Sequence, residues 1–301
     1  MTIPADQAKI QDAVEKFWNA KPCDSDTSEK DLYSAEYFRD IERQRYKLQP
    51  HTLELLDSLD LRGKRVLEIG TGVGTDARTI IGRGGNYTGI NVDAGSCNAT
   101  HRALEKFGLK SEVRQASALE IPFGAQEFDL VYSFGVLHHI AAVEKAIKEI
   151  RRVLRPDGLL VIMLYNKNSI NYHLEIRHLR KWGLWTIGLP GVLQIIRRLG
   201  LPEEKLQRHL ELRKSLGSVS DAEWLSRNTD GPDNPYSRVY DHDEAEELLA
   251  GFRQIRQQVR FFDYRHWGLL GRLAPLSLRR RLGDRWGWHR IVVACHPDSL
   301  V

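Results

Sequence analysis

A run of apolar residues that leads directly into three alternating glycines is the feature that most limits how this chain can fold. The stretch RVLEIGTGVGTD, residues 65–76, has its glycines at positions 70, 72 and 74. Glycine adopts backbone conformations that other residues avoid, and it lets backbone N–H groups come close to a neighbour. The spacing therefore predicts a strand, a tight turn and a helix whose positive end faces an anionic group of a ligand. A tight turn without a ligand is the alternative interpretation.

Short apolar runs alternate with helical patterns after residue 65, which predicts parallel strands joined by helical crossovers. The predicted strands are RVLEIG, YTGINV, SEVRQAS, FDLVYSFG and LLVIMLY. We expect the helix AAVEKAIKEIRRVL to end where Pro156, Asp157 and Gly158 follow it, and a later crossover helix to begin with a capping box of Asp241 and Glu244. Two further runs, QIRQQVRFF and RIVVACH, complete an α/β fold with a doubly wound, Rossmann-like sheet of seven strands.

Two segments that lack this alternation of strands and helices divide the chain into three predicted parts. Residues 1–60 form a helical cap, and residues 61–165 and 239–301 form the Rossmann-like core. Residues 166–238 form a mainly helical lid insertion that carries tryptophans. Such a lid favours either a hydrophobic or aromatic small-molecule acceptor beneath it or a homodimer interface, and both interpretations stay open.

The composition is that of an ordinary globular protein with a slight positive charge. The 301 residues include 44 Lys and Arg against 40 Asp and Glu, and the net charge of +4 is too small to indicate a nucleic-acid partner. Three widely spaced cysteines, Cys23, Cys97 and Cys295, offer no metal or redox pair and favour a reducing compartment. The first residues lack a basic segment followed by an apolar one, so we expect a cytoplasmic protein.

Two segments bear on membrane contact. The most apolar stretch, residues 182–196, is too short and too interrupted to span a bilayer. Residues 265–290 hold seven arginines and three tryptophans. This segment fits peripheral contact with an anionic membrane surface, binding of an acidic substrate, or a solvated face, and the sequence leaves all three open.

The glutamate before the first glycine indicates the charge of the ligand. Glu68 is expected at the end of its strand, where a carboxylate would repel a pyrophosphate and attract an ammonium or a sulfonium. The glycine spacing agrees, because a nicotinamide dinucleotide site needs a third glycine where this chain has Thr75. A cationic amino-acid ligand is therefore predicted.

Four stretches carry a resemblance to a known family: VLEIGTGVGTD, YTGINVD, SALEIPFGAQEFDLVYSFGVLHHI and AIKEIRRVLRPDGLLVI. Their order and spacing resemble the class I S-adenosylmethionine-dependent methyltransferases, especially the bacterial small-molecule type akin to enzymes of ubiquinone and menaquinone biosynthesis. The resemblance covers residues 65–165. It implies S-adenosyl-L-methionine as the cofactor, with its methionine part held by Glu68, Gly70 and Gly72. The full set of predicted cofactor contacts is Glu68, Gly70, Thr71, Gly72, Gly74, Asn91, Val92, Asp93, Ser117, Ala118, Leu119, Ser133 and Phe134.

The chain departs from the family pattern at two positions. Asn91 replaces the acid that usually binds both ribose hydroxyls; Asp93, two residues later, either takes part in a rearranged contact or only caps the next helix. Ser117 stands where the family commonly has aspartate. The adenine amino group would then be held by the Ser117 hydroxyl or by backbone near Ala118 and Leu119, unless Leu119 is a core residue.

Methyl transfer requires alignment of the acceptor with the methyl group and exclusion of water, so no metal ion is predicted. In the enzymes that the chain resembles, a histidine pair corresponding to His138 and His139 lies beside the methyl group, which makes these two the first candidates for a general base. Neighbouring residues of a strand point in opposite directions, so we expect at most one of them to face the acceptor. Alternatively, the histidine fixes a loop. Tyr165, at the end of the fifth strand, is the next candidate.

The expected function is methyl transfer to a small organic acceptor, on oxygen, carbon or nitrogen, in specialised metabolism. Methylation of a lipid-like quinone precursor at a membrane surface is the second interpretation. An RNA methyltransferase is disfavoured, because the chain has no appended RNA-binding motif and no strong positive charge. A protein that binds the cofactor without catalysis is the remaining alternative, and the intact glycine turn argues against it.

Overall fold

The computed structural model describes residues 4–20, 22–198, 203–214, 217–231 and 233–298. Within these ranges the chain forms one eight-stranded sheet surrounded by helices, so the predicted α/β class is confirmed. The strands are β1 (Arg65–Ile69), β2 (Asn86–Asn91), β3 (Glu112–Gln115), β4 (Phe128–Phe134), β5 (Leu154–Asn166), β6 (Val239–Tyr240), β7 (Arg253–Arg260) and β8 (His289–Cys295).

The helices fill the connections between the strands and make up the cap and the lid. They are α1 (Ala5–Ala20), α2 (Ala35–Leu48), α3 (Pro50–Ser58), α4 (Thr75–Gly82), α5 (Ala94–Lys106), α6 (Val143–Val153), α7 (Arg180–Thr186), α8 (Val192–Arg198), α9 (Glu203–Lys214), α10 (Asp221–Ser226), α11 (His242–Leu248), α12 (Gly268–Leu273) and α13 (Leu276–Trp286). A π-helical segment, Asn171–Leu179, leads into α7, and 3₁₀ turns lie at Leu137–His139 and Tyr264–Trp267. In the described ranges no helix is both long enough and apolar enough to cross a membrane.

The strand order confirms the doubly wound sheet. It runs β3-β2-β1-β4-β5-β8-β7, and the short β6 pairs with the end of β5 as an eighth strand beside the seven predicted. Strands β1 to β5 are parallel, whereas β8 is antiparallel to both β5 and β7. The order reverses between β1 and β4, and in such sheets ligands bind in the crevice at the carboxyl ends of those strands.

Alternate residues of the central strands pack into two cores, one on each face of the sheet. Leu67 and Ile69 of β1 pack with residues of α6 and α11. Val66 packs on the opposite face with residues of α3, α4 and α5. Burial on both faces is typical of a parallel sheet with helical crossovers, and it fixes the position of the β1 end.

The predicted end of the helix before Pro156 is confirmed to within one residue. Helix α6 ends at Val153 and β5 begins at Leu154, so residues 156–158 follow the helix, as predicted, and already lie inside the strand. The residue before a proline disfavours the helical conformation, and the fully buried Leu154 pairs with Phe128 of β4. The chain therefore becomes extended before the proline.

The predicted capping box of α11 is confirmed. Asp241 accepts a hydrogen bond from the backbone N–H of Glu244 at 3.0 Å, and Glu244 accepts one from the backbone N–H of Asp241 at 2.9 Å. Lys167, after β5, forms ion pairs with both carboxylates. The start of α11 is thereby held against the end of β5.

Candidate active site

A cavity of about 320 Å³ lies at the carboxyl ends of β1, β2, β4 and β5, a volume within the usual range of small-molecule sites. The glycine turn and residues 91–93 form one wall, and residues 134–136 with Tyr165 form another. Helices α1 and α2 close a third side, and parts of residues 171–180 and 228–230 close the fourth. Cap, core and lid residues therefore meet around a single space.

The backbone angles and the close neighbours of this turn require glycine residues in it. Its glycines have φ angles of +87°, +53° and +77°. A Cβ atom on Gly70 would come within 2.0 Å of the Val136 side chain, and one on Gly74 within 3.2 Å of the α5 backbone. The N–H of Gly70 donates to the Ile90 carbonyl at 2.8 Å, and that of Gly74 is bonded inside the turn. The expected free N–H groups are therefore absent at these two glycines, although Gly70 and Gly72 do line the cavity.

Glu68 lies buried at the end of β1, in the wall of the cavity. Its carboxyl group accepts a hydrogen bond from the Tyr87 hydroxyl at 2.5 Å. Burial and the nearby Asp76 carboxylate raise the pKa of Glu68 well above its usual value. A cationic ligand group beside Glu68 would act in the opposite direction and favour the ionised carboxylate.

A second buried carboxylate, Asp76 at the start of α4, connects the core to the cap. It accepts hydrogen bonds from Arg45 at 2.8 Å and from the hydroxyls of Tyr46 and Tyr132, both at 3.0 Å. Arg45 also pairs with Asp24 at 3.2 Å. The sequence does not indicate this ion-pair network, because contacts between distant segments leave no local pattern.

Asn91, Val92 and Asp93, which the family resemblance assigns to the ribose, line the cavity after β2. Asp93 caps α5, because its Oδ1 accepts a hydrogen bond from the backbone N–H of Ser96 at 2.7 Å. Its Oδ2 is buried and has no hydrogen-bond partner among the described residues. The helix cap and a ligand contact are therefore compatible, since each uses a different oxygen.

Thr71, Ser117, Ala118 and Phe134 also line the cavity. The Thr71 hydroxyl is bonded to Thr100 of α5 at 3.0 Å, which ties the turn to that helix. Ser117 Oγ accepts a hydrogen bond from the backbone N–H two residues later at 3.2 Å.

Within the described ranges, four predicted residues do not line the cavity: Gly74, Leu119, Ser133 and His138. Leu119 belongs to the core beside α6, as its alternative interpretation held. The Ser133 hydroxyl is fully buried and donates to the Ile69 carbonyl at 3.1 Å, so it joins β4 to β1. The structure does not bring these four residues to the ligand space.

The histidine pair lies on a 3₁₀ turn and not on a strand, so the argument from strand alternation was wrong. Both rings are buried and both contact Tyr165, with centroids 3.6 Å away for His138 and 5.8 Å for His139. Only His139 reaches the cavity, where its ring also meets Trp18 of the cap at 5.3 Å. Tyr165 stacks on Trp288 at 4.4 Å, which makes this end of the cavity aromatic.

Asp230 of the lid completes this aromatic end, and it is not among the residues predicted from the sequence. The Tyr165 hydroxyl donates to Asp230 Oδ1 at 2.8 Å, and Asp230 Oδ2 lies 3.5 Å from His139 Nε2. His139 Nδ1 lies 2.8 Å from the Tyr236 carbonyl oxygen. The residue is one of two aspartates in the sequence NTDGPDNPYS, and no local feature marks it as functional.

The strand order, with the glycine turn after β1 and the cavity at the carboxyl ends, defines a Rossmann-like methyltransferase fold. Residues 67–162 match a family model described as a methyltransferase domain. Among solved structures, the geranyl diphosphate C-methyltransferase from Streptomyces coelicolor shares the fold with a TM-score of 0.54, over 95% of this chain and 98% of that one at 13% identity. The PH0226 protein from Pyrococcus horikoshii gives a TM-score of 0.54, over 93% and 98% at 14% identity.

The sequence relatives are named methyltransferases. The sterol 24-C-methyltransferase of Gibberella zeae is 33% identical over 39% of this chain and 32% of its own length. The ubiquinone biosynthesis O-methyltransferase of Aromatoleum aromaticum is 27% identical over 56% of this chain and 65% of its own length. The chain thus spans less than two thirds of either relative. Over residues 67–162 it resembles the family of methyltransferase domains.

Proposed function

We propose that this protein transfers a methyl group from S-adenosylmethionine to a small organic acceptor, on oxygen, carbon or nitrogen. One observation carries the proposal: a single cavity joins the buried carboxylates near the glycine turn to the aromatic end at His139 and Tyr165. The names of the sequence relatives, which include C- and O-methyltransferases, support this reaction type.

The residues of the cavity fit this cofactor. Glu68 is a buried carboxyl group that a cationic amino acid would help to ionise. Asp93 Oδ2 is a buried acceptor without a donor among the described residues, and a ribose hydroxyl would supply one. In this proposal Glu68, Gly70, Thr71 and Gly72 hold the methionine part. The ribose and adenine are held by Asn91, Val92, Asp93, Ser117, Ala118 and Phe134.

The cofactor would supply an electrophilic methyl group on a cationic sulfur. An electron pair of the acceptor would form the new bond to carbon, and the electron pair of the carbon–sulfur bond would stay on sulfur. The protein has to align the acceptor and exclude water. Trp18 of the cap and Asp230 of the lid close the cavity on the side of His139. Aromatic side chains line that side, which favours a hydrophobic or aromatic acceptor over a nucleic acid.

We further propose a reducing, cytoplasmic location, supported by the free thiols of Cys23, Cys97 and Cys295.

Calorimetry and an acceptor screen test the proposed function together. We expect the purified protein to bind S-adenosylmethionine and S-adenosylhomocysteine saturably and NAD⁺ not at all. Incubation with a carbon-13 methyl-labelled cofactor and metabolite extracts should give a labelled product detectable by mass spectrometry. Saturable binding of NAD⁺ without binding of either sulfur compound would refute the proposal.

A second candidate, methylation of a lipid-like acceptor at a membrane surface, is favoured by the exposed face of α12 and α13. Leu270, Leu273 and Leu276 are 82%, 70% and 62% exposed. The exposed Arg280 and Arg281 lie one turn further along α13. Apolar side chains flanked by arginines suit an anionic bilayer.

Co-sedimentation with phosphatidylglycerol vesicles tests this second candidate. We expect binding at low salt that weakens at high salt and is lost on replacing the three leucines by serine. Absence of binding at low salt would contradict it. A change from dimer to monomer in the serine variant, without vesicle binding, would assign the face to a homodimer interface.

A further inference from the structure

Residues 234–238 of the lid are hydrogen-bonded to the 3₁₀ turn that carries His138 and His139. The backbone N–H of Arg238 donates to the His138 carbonyl at 2.9 Å. The Ser237 hydroxyl contacts Nδ1 of His139 at 3.1 Å, and the Ser237 backbone N–H is bonded to α10 at 2.8 Å. The buried Asn234 side chain donates to the same hydroxyl at 2.8 Å. These bonds give the loop a defined position beside the cavity.

The hydrogen bonds of His139 determine which ring nitrogen carries the proton. Nδ1 lies 2.8 Å from the Tyr236 carbonyl oxygen, which can only accept. In the neutral ring Nδ1 therefore carries the hydrogen, and Nε2 presents a lone pair. The His139 residue is 3% exposed, and its Nε2 has no hydrogen-bond partner among the described residues.

Asp230 places a second acceptor at the same point. Its Oδ2 lies 3.5 Å from His139 Nε2, and its other oxygen accepts the Tyr165 hydroxyl hydrogen. A carboxylate oxygen and an imidazole lone pair cannot bond to each other. Asp230 Oδ2 accepts a long hydrogen bond from the Asn234 amide, at 3.5 Å, whereas His139 Nε2 has no donor among the described residues and needs one from a third group. Both residues line the cavity. A ligand group that carries a proton and can share it with both would complete the arrangement.

We propose that His139 and Asp230 bind a hydroxyl group of the acceptor and that His139 acts as its general base, so that the atom methylated is oxygen. This inference rests on the proposed function and narrows its acceptor to a neutral hydroxyl compound. As the oxygen gains the methyl group, its proton passes to His139 Nε2 and then to water. Asp230 stabilises the imidazolium formed in between. A carboxylate acceptor would be repelled by Asp230, and a carbon acceptor would leave His139 Nε2 without a donor.

The other titratable groups in contact with His139 do not compete for this proton. Burial, with His139 and His289 nearby, lowers the pKa of His138 well below its usual value. Burial and Asp230 raise the pKa of Tyr165 well above its usual value. Both side chains are therefore neutral at pH 7.

Nitrogen NMR of isotope-labelled histidine tests the base without any acceptor. We expect the His139 signal, identified by its loss in His139→Gln, to show hydrogen on Nδ1 and none on Nε2 at pH values where the ring is neutral. Hydrogen on Nε2 would overturn the proposal. Calorimetry with S-adenosylhomocysteine on the same samples tests the proposed function separately.

Steady-state kinetics test the roles of His139 as general base and of Asp230 in acceptor binding. The acceptor is one identified in the extract screen. We expect His139→Gln to lower kcat by about 10²- to 10⁴-fold with unchanged cofactor affinity. Asp230→Asn should also raise the KM for the acceptor, with partial recovery in Asp230→Glu. Asp233→Asn, an exposed acid in the same loop, should behave as wild type. Equal activity in Asp230→Asn and Asp233→Asn would contradict the assignment.

The position of the label identifies the methylated atom. Carbon-13 NMR of the product should show a methyl group on an ether oxygen. A label on carbon, nitrogen or a carboxylate would overturn this inference while leaving methyl transfer itself intact. If the cofactor binds but no extract gives a product, the nitrogen NMR measurement of the His139 tautomer alone decides whether the inference stands.

Discussion

Gly70 is the residue on which the glycine turn depends most directly. Alanine at this position would adopt a positive φ, at a cost of about 1–2 kcal/mol, and its Cβ would overlap the Val136 side chain, at a further cost of about 1–3 kcal/mol. We expect Gly70→Ala to lower the free energy of unfolding by about 2–5 kcal/mol in urea denaturation, the sum of these two costs.

Gly63→Ala is the matched control for this substitution. Gly63 also has a positive φ, +71°, but no atom lies within 4 Å of its added Cβ. We expect a loss of about 1–2 kcal/mol from the backbone alone. Equal losses in the two variants would show that the Val136 contact has no part in the requirement for glycine.

Glu68 should couple cofactor binding to pH. Its raised pKa leaves it largely protonated in the free protein, and a cationic ligand favours the ionised form. Binding of S-adenosylmethionine should therefore release a proton, and the affinity should rise by up to about tenfold per unit between pH 5 and 7, below the titration of the ligand's own ammonium group. Calorimetry in buffers of different ionisation enthalpy measures the released proton.

Two variants show whether this proton comes from Glu68. Glu68→Gln should remove the proton release and flatten the pH dependence. Glu105→Gln, an exposed position on α5, should keep both. Proton release that persists in Glu68→Gln would assign the proton to another group.

Side chains at strand ends were the part of the site that the sequence could predict. Glu68, Asn91, Asp93, Phe134 and Tyr165 all line the cavity, because a parallel sheet brings its carboxyl ends to one edge. Prediction failed where tertiary contacts decide the outcome. Ser133 faces a neighbouring strand, and the ion pair of Arg45 depends on how the cap docks.

Among the elements, the lid depends on one buried anchor. Trp224 of α10 is 2% exposed, and its indole N–H donates to the Ile176 carbonyl at 2.7 Å, which joins α10 to the π-helical segment. We expect Trp224→Leu to speed hydrogen exchange in residues 171–186 and 221–226, because a large buried side chain and a buried donor are lost. Cofactor affinity should stay near wild type, since the glycine turn lies outside the lid.

Trp182 offers a control on the same lid. It is 65% exposed, so Trp182→Leu should leave hydrogen exchange in these segments unchanged. Faster exchange in both variants would mean that the lid responds to any loss of tryptophan. Unchanged exchange in Trp224→Leu would remove its role as the anchor.

Strands and helices in which apolar residues recur at regular spacing were predicted well, whereas the turns that connect them were not. The strands β1, β2 and β4 alternate apolar residues between two packed faces, so their positions follow from local pattern. The 3₁₀ turn that carries His138 and His139 has no such period. Its geometry depends on the lid residue Arg238, whose backbone N–H binds the His138 carbonyl. A contact across a hundred residues of chain is invisible in a local window.

At the scale of the whole molecule, the cavity exists only when three distant segments meet. Asp76 of the core binds Arg45 of the cap, and Asp230 of the lid binds Tyr165 of the core. Each contact joins a buried acceptor to a donor from another segment. Loss of either partner leaves an unsatisfied polar group, so the closed cavity and the stability of the fold are linked.

Buried histidines should make the ligand-free protein lose stability in mild acid. His51 of α3 bonds to His289 of β8 through ring nitrogens 2.8 Å apart. Burial, with Arg45 and Arg260 nearby, lowers the pKa of His51 to about 3. Below pH 6.5 the His51 side chain takes up a proton in the unfolded chain but not in the folded protein. The free energy of unfolding is therefore highest above pH 6.5 and falls as the pH decreases.

The expected loss from His51 alone is about 2 kcal/mol between pH 7 and pH 5. His138 and His289 act in the same direction, because burial lowers the pKa of each, whereas the raised pKa of Glu68 acts in the opposite direction. Urea denaturation at both pH values isolates the contribution of His51 to this loss. The His51→Gln variant can still donate to His289, and its free energy of unfolding should fall by about 2 kcal/mol less than that of the wild type. His101→Gln, an exposed histidine on α5, should follow the wild type. Parallel losses in wild type and His51→Gln would show that this imidazole is not held neutral in the folded protein.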